Sequence, residues 1–464
     1  MASAITAPTY DPATTAAALA EKYTAPRQQI LDAQSKTATA TERGLADLTS
    51  ALSSFQTSLA SLSSIGKTVF AQSATFADTS VGSASAGPTA AAGSYSFFVK
   101  QLASASQVSY TGLTDNTGIG GTLQIRMGGA AAFDINMTTA DADGNGTLTT
   151  RELAAAINGA SGNAGKLTAS IVTTGTTSEL VLTAKDTGAA SAITLVTTGI
   201  TGTSSLAAAN LDAARRRTLV TAQDAEIRVG SETGTAITQA TNTFTNIDGV
   251  KMTFTKAQAS GAAPVTLTVA PDNAGTTSNV QAFVDAFNKL KAALNKLTDP
   301  GDPAKGVAGG SFAHDAGVRA LNNRMTDLLR PTGAESLASY GIIATRDGSL
   351  ELRSDRLLAQ LARNPNGLDG LLGSASKTAP TGIAGSLESY LNSWSNSVDG
   401  QIKGRKDAIS NLQSALIDRQ AKLDQQYDSA YGRYLLQFTQ LQTMQSSMNT
   451  NLTLFDALFG NDKD

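Results

Sequence analysis

The stretch LADLTSALSSFQTSLASL, residues 45–62, decides how this chain folds. Its large apolar side chains recur at spacings that alternate between three and four residues, with Ser, Thr, Gln and Ala between them. This spacing is typical of a coiled-coil seam, because it draws one apolar stripe along a helix. The stripe needs a partner helix to cover it. The members of this N-terminal seam are Leu45, Leu48, Leu52, Phe55, Leu59 and Leu62.

A second stripe with the same alternation lies near the other end of the chain. A helix over residues 383–458 would be longer than any single globular core. The pattern therefore favours pairing with the N-terminal helix over packing on a globular core. No proline interrupts residues 383–458, and Gly400 and Gly404 are the expected places for a bend or break. The members of this C-terminal stripe are Tyr427, Tyr431, Tyr434, Phe438, Leu441, Gln445, Met448, Leu452 and Phe455.

Upstream of the N-terminal seam, residues 12–42 are rich in Ala and prone to form helix, but they lack a continuous apolar seam. Pro26 fits the first turn of a helix better than a helix interior. We therefore expect residues 1–42 to form a separate terminal segment, helical or disordered.

The middle of the chain is β-rich. Residues 67–275 alternate short runs of period-two patterning, such as SYSFFVKQL and GTLQIRM, with turns rich in Gly, Ser, Thr and Asn. Helical patterning returns in VQAFVDAFNKLKAALNKL, and Asp347-Gly348 predicts a hairpin turn among short helices. The sequence thus predicts an α+β fold with discontinuous domains: paired N- and C-terminal coiled-coil helices, an inner helical domain and two β-rich outer domains.

Composition excludes several classes of function. Over 464 residues the charged fraction is 16% and the net charge is −3, so nothing attracts nucleic acid or anionic lipid over a distance. The one basic cluster, Arg215-Arg216-Arg217, is predicted to be a solvated loop. No apolar stretch is long enough to span a bilayer, and no cleavable secretory signal is visible. We predict neither nucleic-acid binding nor membrane insertion.

The residues needed for most enzyme chemistry are scarce. Cysteine is absent, and the single histidine, His314, stands beside Asp315. A catalytic triad needs its acid behind the imidazole ring in space, which a sequence neighbour rarely provides. We predict that the chain is not an enzyme and requires no cofactor.

The stretch DADGNGTLTTRE, residues 141–152, matches the spacing of a twelve-residue calcium loop. The preceding FDINM alternates like a strand, whereas such loops normally follow a helix. The same residues also suit a metal-free strand-to-helix turn closed by a capping box between Thr149 and Glu152. A weak structural Ca²⁺ site and a simple turn both fit the sequence. The candidate calcium ligands are Asp141, Asp143, Asn145, Thr147 and Glu152.

Five segments, taken in order, resemble the bacterial flagellar filament cap family, flagellar hook-associated protein 2. The first two are matched by Gly93, Tyr95, Phe97, Val99, Gln101, Leu102, Ala103 and Ala105, and then by Asp224, Ala225, Asn242, Thr243, Gly249 and Val250. The segments are GSYSFFVKQLASA (93–105), AQDAEIRVG with ATNTFTNIDGVKMTF (222–254), VQAFVDAFNKL (280–290), LASYGIIATRDGSLELRSDRL (337–357) and YGRYLLQFTQLQTMQSSMN (431–449).

The resemblance implies a domain plan that is nested along the chain. The expected parts are a terminal segment (1–42), an inner helical leg domain (43–66 plus 276–426), a β-rich domain (67–106 plus 219–275), an outermost β-rich insertion with the calcium-like loop (107–218), and a C-terminal coiled-coil segment (427–464).

The resemblance also implies a function. Such a protein is secreted by the flagellar type III export route and forms a homo-oligomeric cap, usually a pentamer, at the tip of the bacterial flagellum. There it retains exported flagellin and promotes its folding and polymerisation, which filament elongation and motility need. The implied partners are further copies of the chain, flagellin, the hook–filament junction proteins and a type III export chaperone.

We expect the assembly interface to combine the N-terminal seam with the apolar members of the C-terminal stripe from Tyr427 to Leu452. Two other functions remain open on the sequence alone. One is another axial flagellar protein, either a flagellin or a hook–filament junction protein. The other is a calcium-stiffened surface protein that serves in cell adhesion.

Overall fold

The computed structural model describes residues 11–64, 66–174, 177–330 and 336–459. Its mixture of long helices and antiparallel sheets confirms the α+β class. Contacts divide the chain into two compact units: a helical unit, Met1–Val69 with Thr277–Asp464, and a β-rich unit, Phe70–Thr276. The chain leaves the helical unit once and returns to it, so that unit is discontinuous. The outer parts of the predicted terminal segments, residues 1–10 and 460–464, lie outside the described residues.

The α-helices of the described ranges differ greatly in length, from 6 residues to 59. They are α1 (Pro12–Ser63), α2 (Thr150–Gly159), α3 (Ser205–Leu211), α4 (Asn273–Thr298), α5 (Ala316–Asp327), α6 (Ser354–Leu361), α7 (Gly367–Leu372), α8 (Gly382–Ser395) and α9 (Gln401–Phe459).

The strands are short, as expected for the Gly-, Ser- and Thr-rich middle of the chain. They are β1 (Gln72–Phe76), β2 (Gly82–Ala86), β3 (Gly93–Gln101), β4 (Gln107–Tyr110), β5 (Asn116–Thr117), β6 (Gly120–Met127), β7 (Ala130–Asn136), β8 (Thr147–Leu148), β9 (Leu167–Thr174), β10 (Thr177–Ala184), β11 (Ile193–Val196), β12 (Ile200–Thr201), β13 (Arg216–Val220), β14 (Ala225–Val229), β15 (Ala236–Gln239), β16 (Thr243–Ile247), β17 (Val250–Phe254), β18 (Val265–Pro271), β19 (Ile342–Ala344) and β20 (Leu350–Leu352).

Helix α1 is continuous, so residues 12–42 take the helical alternative of the sequence prediction. The Asp11 side chain caps its start by accepting from the backbone N–H groups of Ala13 and Thr14, and Pro12 occupies the first turn. Pro26, which we expected at a helix start, lies inside the helix. Proline removes one backbone hydrogen bond there, so the contacts of α1 with α9 must offset that loss. No break separates residues 12–42 from the seam that follows.

The long C-terminal helical region breaks where the sequence predicted. Helix α8 ends at Ser395 and α9 begins at Gln401, with Gly400 in the connection, whereas Gly404 lies within α9. A Cβ on Gly400 would lie 2.3 Å from the Asn396 carbonyl oxygen, which explains why this position needs glycine.

The N-terminal seam is the core of the helical unit. Leu45, Leu48, Leu52, Phe55 and Leu59 are all buried within their own chain, and Leu62 is partly buried. Phe55 meets Phe287 of α4 edge to face, with ring centroids 6.2 Å apart. These five buried side chains therefore hold α1 within its own unit, and they do not form an exposed assembly surface as the sequence had suggested.

The β-rich unit contains two hydrophobic cores. The first joins residues 74–103 with residues 225–269, and the second lies within residues 108–209. The predicted boundaries at residues 106/107 and 218/219 fall between these cores. That these positions are domain boundaries stays a prediction.

The first core is built by two passes of the chain. The central strand β3 pairs with β18 on one side and β14 on the other, within the sheet order β1-β18-β3-β14-β15. A smaller sheet, β16-β17-β2, faces the same core. Phe254 lies within 5.2 to 6.4 Å of three other phenylalanine rings, which joins the two sheets. The Asn242 amide fixes the crossing by accepting from the Ala103 N–H and donating to the Ala103 carbonyl.

The second core belongs to an insertion that closes on itself. Its first strand β4 pairs with its last strand β13, in the sheet order β13-β4-β10-β9. A second sheet is centred on β6, which pairs with β7, β11 and β12. Helix α2 packs against β9 and buries Leu153 and Ile157. Residues 107–220 thus enter and leave through neighbouring strands.

Acid should weaken the helical unit through one partly buried ion pair. Arg405 donates to both carboxylate oxygens of Asp315, and this hydrogen bonding lowers the pKa of Asp315 below its ordinary value of 3.8. Because the folded pKa lies below the unfolded one, the pair stabilises the fold above about pH 4 and loses that contribution as the pH falls through the folded pKa.

Urea unfolding followed by the fluorescence of Trp394, the only tryptophan, measures this effect. The wild-type midpoint should fall more steeply between about pH 6 and pH 3 than that of Arg405→Gln. Arg353→Gln removes an exposed pair with Glu351 and serves as the control. Parallel curves for wild type and Arg405→Gln would contradict the assignment.

Candidate functional site

Helices α1 and α9 pack against each other in antiparallel orientation. Cross-helix hydrogen bonds join residues whose numbers rise on α1 as they fall on α9, so the two helices run side by side in opposite directions. This confirms the pairing that the two sequence stripes predicted. The bonds join Arg27 to Gln426 (2.7 Å), Gln34 to Arg419 (3.4 Å) and Glu42 to Gln413 (2.8 Å), while Gln28 and Gln420 exchange two (3.1 and 2.9 Å).

The heptad seam runs through the first half of α1 as well, where sequence reasoning did not find it. Thr24, Leu31 and Ala38 precede Leu45 at intervals of seven residues, and Thr24 and Ala38 are buried. The second register of the seam holds Arg27 and Gln34, the residues that bond to α9. The sequence signal that could have revealed this part of the seam was the heptad spacing of small side chains such as Thr24 and Ala38. They escaped notice because Ala and Thr do not stand out in a chain so rich in both.

The exposure of the apolar stripe rises along α9. Leu416, Leu423 and Ala430 are between 1% and 5% exposed in the pairing with α1. Of the predicted stripe, Tyr427, Tyr431, Tyr434 and Phe438 are partly buried. From Leu441 onward the large apolar side chains are 42% to 66% exposed, and they are Leu441, Met444, Met448, Leu452, Leu454, Phe455 and Leu458.

The cross-helix bonds explain this change. They place Pro12, where the described part of α1 begins as a helix, about opposite Leu441. Residues 441–458 of α9, here called the overhang, therefore extend past that end of α1. The overhang presents a broad apolar surface among the described residues, and it is the candidate assembly surface of this chain.

The calcium-like loop joins β7 to β8 and α2, so it follows a strand as the sequence predicted. Its carboxylates are held by its own backbone: Asp141 accepts from the N–H groups of Gly144 and Gly146, at 2.9 and 2.8 Å. Gly144 and Gly146 have φ values of 68° and 80°, which only glycine adopts without strain. Oxygens of Asp141, Asp143 and Glu152 lie within 4.8 Å of one another.

The predicted capping box is also present. Glu152 Oε2 accepts from the Thr149 N–H and hydroxyl at 2.9 and 2.8 Å, while Thr149 Oγ1 accepts from the Glu152 N–H. The backbone hydrogen bond from Thr149 is the main reason that the pKa of Glu152 is lowered. The loop thus holds three converging carboxylates, and hydrogen bonds within the loop satisfy its own backbone.

Two other sequence candidates are located away from any such cluster. His314 is exposed, and its neighbour Asp315 caps α5 through the Val318 N–H and pairs with Arg405. The basic cluster is not a loop as predicted, because Arg216 and Arg217 lie on the exposed edge strand β13, where Arg217 contacts Glu179 at 2.6 Å.

Among the helices that the structure describes, none is long and apolar enough to cross a bilayer. Two long helices paired as a coil, with an apolar extension of one beyond the other, are typical of a structural coiled-coil protein.

The chain belongs to the flagellar hook-associated protein 2 family. The family's N-terminal model matches residues 9–106 and its C-terminal model matches residues 222–450. The chain is 31% identical over 384 residues to the lateral flagellar hook-associated protein 2 of Vibrio parahaemolyticus, covering 80% of this chain and 82% of that protein. It is 27% identical to the flagellar hook-associated protein 2 of Escherichia coli, covering 89% and 88%.

The fold is similar to a solved structure of the same family. The crystal structure of the D1-D2-D3 domains of the flagellar cap protein FliD from Escherichia coli matches with a TM-score of 0.60 and 26% identity. The match covers 79% of this chain and 99% of that one.

Enlarging a buried small residue of the coil should loosen the pairing of the ends. Ala430 is 1% exposed against α1, so Ala430→Leu forces the helices apart and should destabilise the helical unit by about 1–3 kcal/mol. Circular dichroism at 222 nm during urea unfolding measures the loss.

The matched control is Ala421→Leu, which adds the same side chain at an exposed position of α9. It should change stability by less than about 0.5 kcal/mol. Equal effects of the two substitutions would show that Ala430 is not at a close helix contact.

Proposed function

We propose that this protein is the structural cap of a bacterial flagellar filament. Copies of the chain would form a closed homo-oligomer at the filament tip, and five is the number that the resemblance implies. The single observation that carries the proposal is the overhang, an apolar helix surface that extends past its partner helix in a chain of the flagellar hook-associated protein 2 family. The Escherichia coli protein of similar fold is itself described as a flagellar cap protein.

The overhang supplies a driving force for association. Covering each of its large side chains removes apolar surface from water, which contributes about 1–2 kcal/mol for a side chain that is half exposed beforehand. Several such side chains follow one another on α9, so modest contacts add up along the helix. A coil of this kind joins a copy to its neighbours or to the filament below it.

At the tip, the cap would retain exported flagellin and promote its folding and polymerisation, so that filament elongation and motility depend on it. Export through the flagellum's own type III channel, with a dedicated chaperone, suits a chain without cysteine. Flagellin and the hook–filament junction proteins are the expected neighbours. The role proposed is structural, with no reaction assigned to the chain.

Opposite substitutions on the overhang should change assembly in opposite directions. Leu452→Asp places a charge on the apolar surface and should raise the concentration needed for oligomer formation at least tenfold. Gln445→Leu fills the polar position of the stripe and should tighten assembly while slowing filament growth. Sedimentation velocity and electron microscopy of filament tips measure the two effects.

Ser447→Asp is the matched control, because Ser447 is exposed on α9 outside the stripe. Small closed rings support a cap, whereas long filaments of the purified chain would indicate a flagellin-like protein. A chain that stays monomeric at high concentration, with the overhang variants unchanged, would contradict the proposal. Binding to host surfaces in the absence of assembly would favour an adhesin.

We also propose that the loop of residues 141–152 binds Ca²⁺ as a weak structural site. Oxygens of Asp141, Asp143 and Glu152 already converge, and Ca²⁺ is bound at 2.3–2.6 Å by six to eight oxygens. Asn145 and the Thr147 carbonyl would complete the set. The ion would stiffen the connection from β7 to α2 and would perform no chemistry.

Isothermal titration of the full chain with CaCl₂ tests this site. The wild type should release or absorb heat at sub-millimolar to millimolar Ca²⁺, the range of extracellular sites, and Glu152→Gln should not. Glu179→Gln, which changes an acidic residue of β10 outside the loop, is the control. Equal heats for the wild type and Glu152→Gln would exclude the loop as the binding site.

A further inference from the structure

A groove of about 790 Å³ lies within the helical unit, between α1, α8 and the segment that precedes α8. Most of its lining residues are polar, with Ser, Thr and Gln on α1 and Ser, Asn and Glu on α8. The segment that precedes α8 is held against α1, because the Ala375 N–H donates to the Ser63 carbonyl at 2.8 Å. This groove has no part in the pairing of α1 with α9.

One charged group is buried in the groove lining. Glu388 of α8 is 5% exposed, and among the described residues its only hydrogen-bond donor is Gln56. The Gln56 amide nitrogen lies 3.2 Å from both carboxylate oxygens, at the long end of the usual range. A carboxylate can accept about four hydrogen bonds, so most of its capacity is unused.

The charge of Glu388 has no close counter-ion within the part of the chain that the structure describes. No Lys or Arg nitrogen lies within ion-pair distance of it there. Lys377 lines the same groove but is exposed, and its attraction is the weakest of the influences on the carboxyl. Burial is the strongest influence and raises the pKa of Glu388, since a carboxylate loses hydration there without gaining a cation.

A buried, uncompensated carboxylate makes the folded chain less stable than a neutral side chain would. Departures from the packing rules of this kind occur mainly where a binding function requires them. We propose that the groove binds an organic cation, an alkylguanidinium or alkylammonium group, with Glu388 as its counter-ion. Gln56 and Asn392 offer amide oxygens as further acceptors.

The chemistry of the groove argues against other ligands. A buried carboxylate repels anions, and Ca²⁺ or Mg²⁺ needs several oxygens packed around one point, usually with more than one carboxylate. The groove is also far larger than a single ion. A guanidinium group presents five N–H donors in a plane, which suits one carboxylate flanked by neutral amide oxygens.

Two sources present such a cation: a free small molecule, or a Lys or Arg side chain of a second copy of this chain. The second source rests on the proposed function, because it requires the chain to assemble. Both sources present the same group to Glu388, so the test has one arm for each.

The first arm is isothermal titration of the full chain with N-acetyl-argininamide, with N-acetyl-citrullinamide as the uncharged probe of the same shape. We expect the wild type to bind the arginine probe and not the citrulline probe, and Glu388→Gln to bind the arginine probe at least tenfold more weakly. Glu351→Gln, at an exposed residue of β20, should bind like the wild type. The melting temperature of Glu388→Gln should equal or exceed that of the wild type, which excludes misfolding as the cause.

The second arm is sedimentation velocity over a range of protein concentrations. If a second copy supplies the cation, Glu388→Gln should raise the concentration at half assembly at least tenfold. A response in the titration alone assigns the groove to a free small-molecule cation. No difference between wild type and Glu388→Gln in either arm overturns the proposal. If the wild type never assembles, the proposed cap function is wrong. The titration alone then tests whether the groove binds a cation.

Discussion

The antiparallel pairing of α1 with α9 is the constraint on which the rest of the structure depends. It brings together residues almost 400 positions apart in sequence, such as Arg27 and Gln426. The β-rich unit, Phe70–Thr276, must therefore leave the helical unit and return to it, while α4 to α8 stay within the helical unit. Closing so long a loop has an entropic cost that grows only slowly with loop length, so an insertion of the size of the β-rich unit is tolerated. Large apolar burial at Leu45 to Leu59 offsets that cost.

The same nesting recurs inside the β-rich unit. Strand β3 of the outgoing chain pairs with β14 and β18 of the returning chain. The Asn242 amide forms hydrogen bonds with the Ala103 backbone where the two passes meet. The insertion then starts with β4 and ends with β13 beside it. Each insertion begins and ends on neighbouring strands. A further segment can therefore be inserted without altering the hydrogen bonding of the sheet from which it leaves. This explains how the single β-rich insertion contains two hydrophobic cores.

The sequence predicted the parts that depend on large side chains and tight turns. The seam from Leu45 to Leu62, the break near Gly400 and the hairpin at Asp347-Gly348 all left local patterns. The continuation of the seam through Thr24 and Ala38 was missed, because small residues mark close helix contact only when the partner is known. For the same reason the seam was taken as a surface between copies, although its cover comes from the same chain. The burial of Glu388 depends on α1, whose Gln56 is 332 positions away in sequence, and it has no local signature.

The contact between α1 and α9 varies in strength along the coil. Near Leu45 and Leu52 the buried side chains of α1 are large and apolar. From Ala16 to Ala38 the buried side chains of α1 are small, Leu416 and Leu423 of α9 supply the large apolar contacts in the middle of the coil, and the cross-helix hydrogen bonds are exposed. Small side chains bury little apolar surface, and exposed polar pairs contribute little net stability. The coil is therefore weakest beside the overhang and strongest beside the helical core. Local opening starts where the fewest apolar contacts must be broken, so the end next to the overhang separates first. In a cap, that gradient would let α9 exchange neighbours at its tip while the body of the unit stays folded.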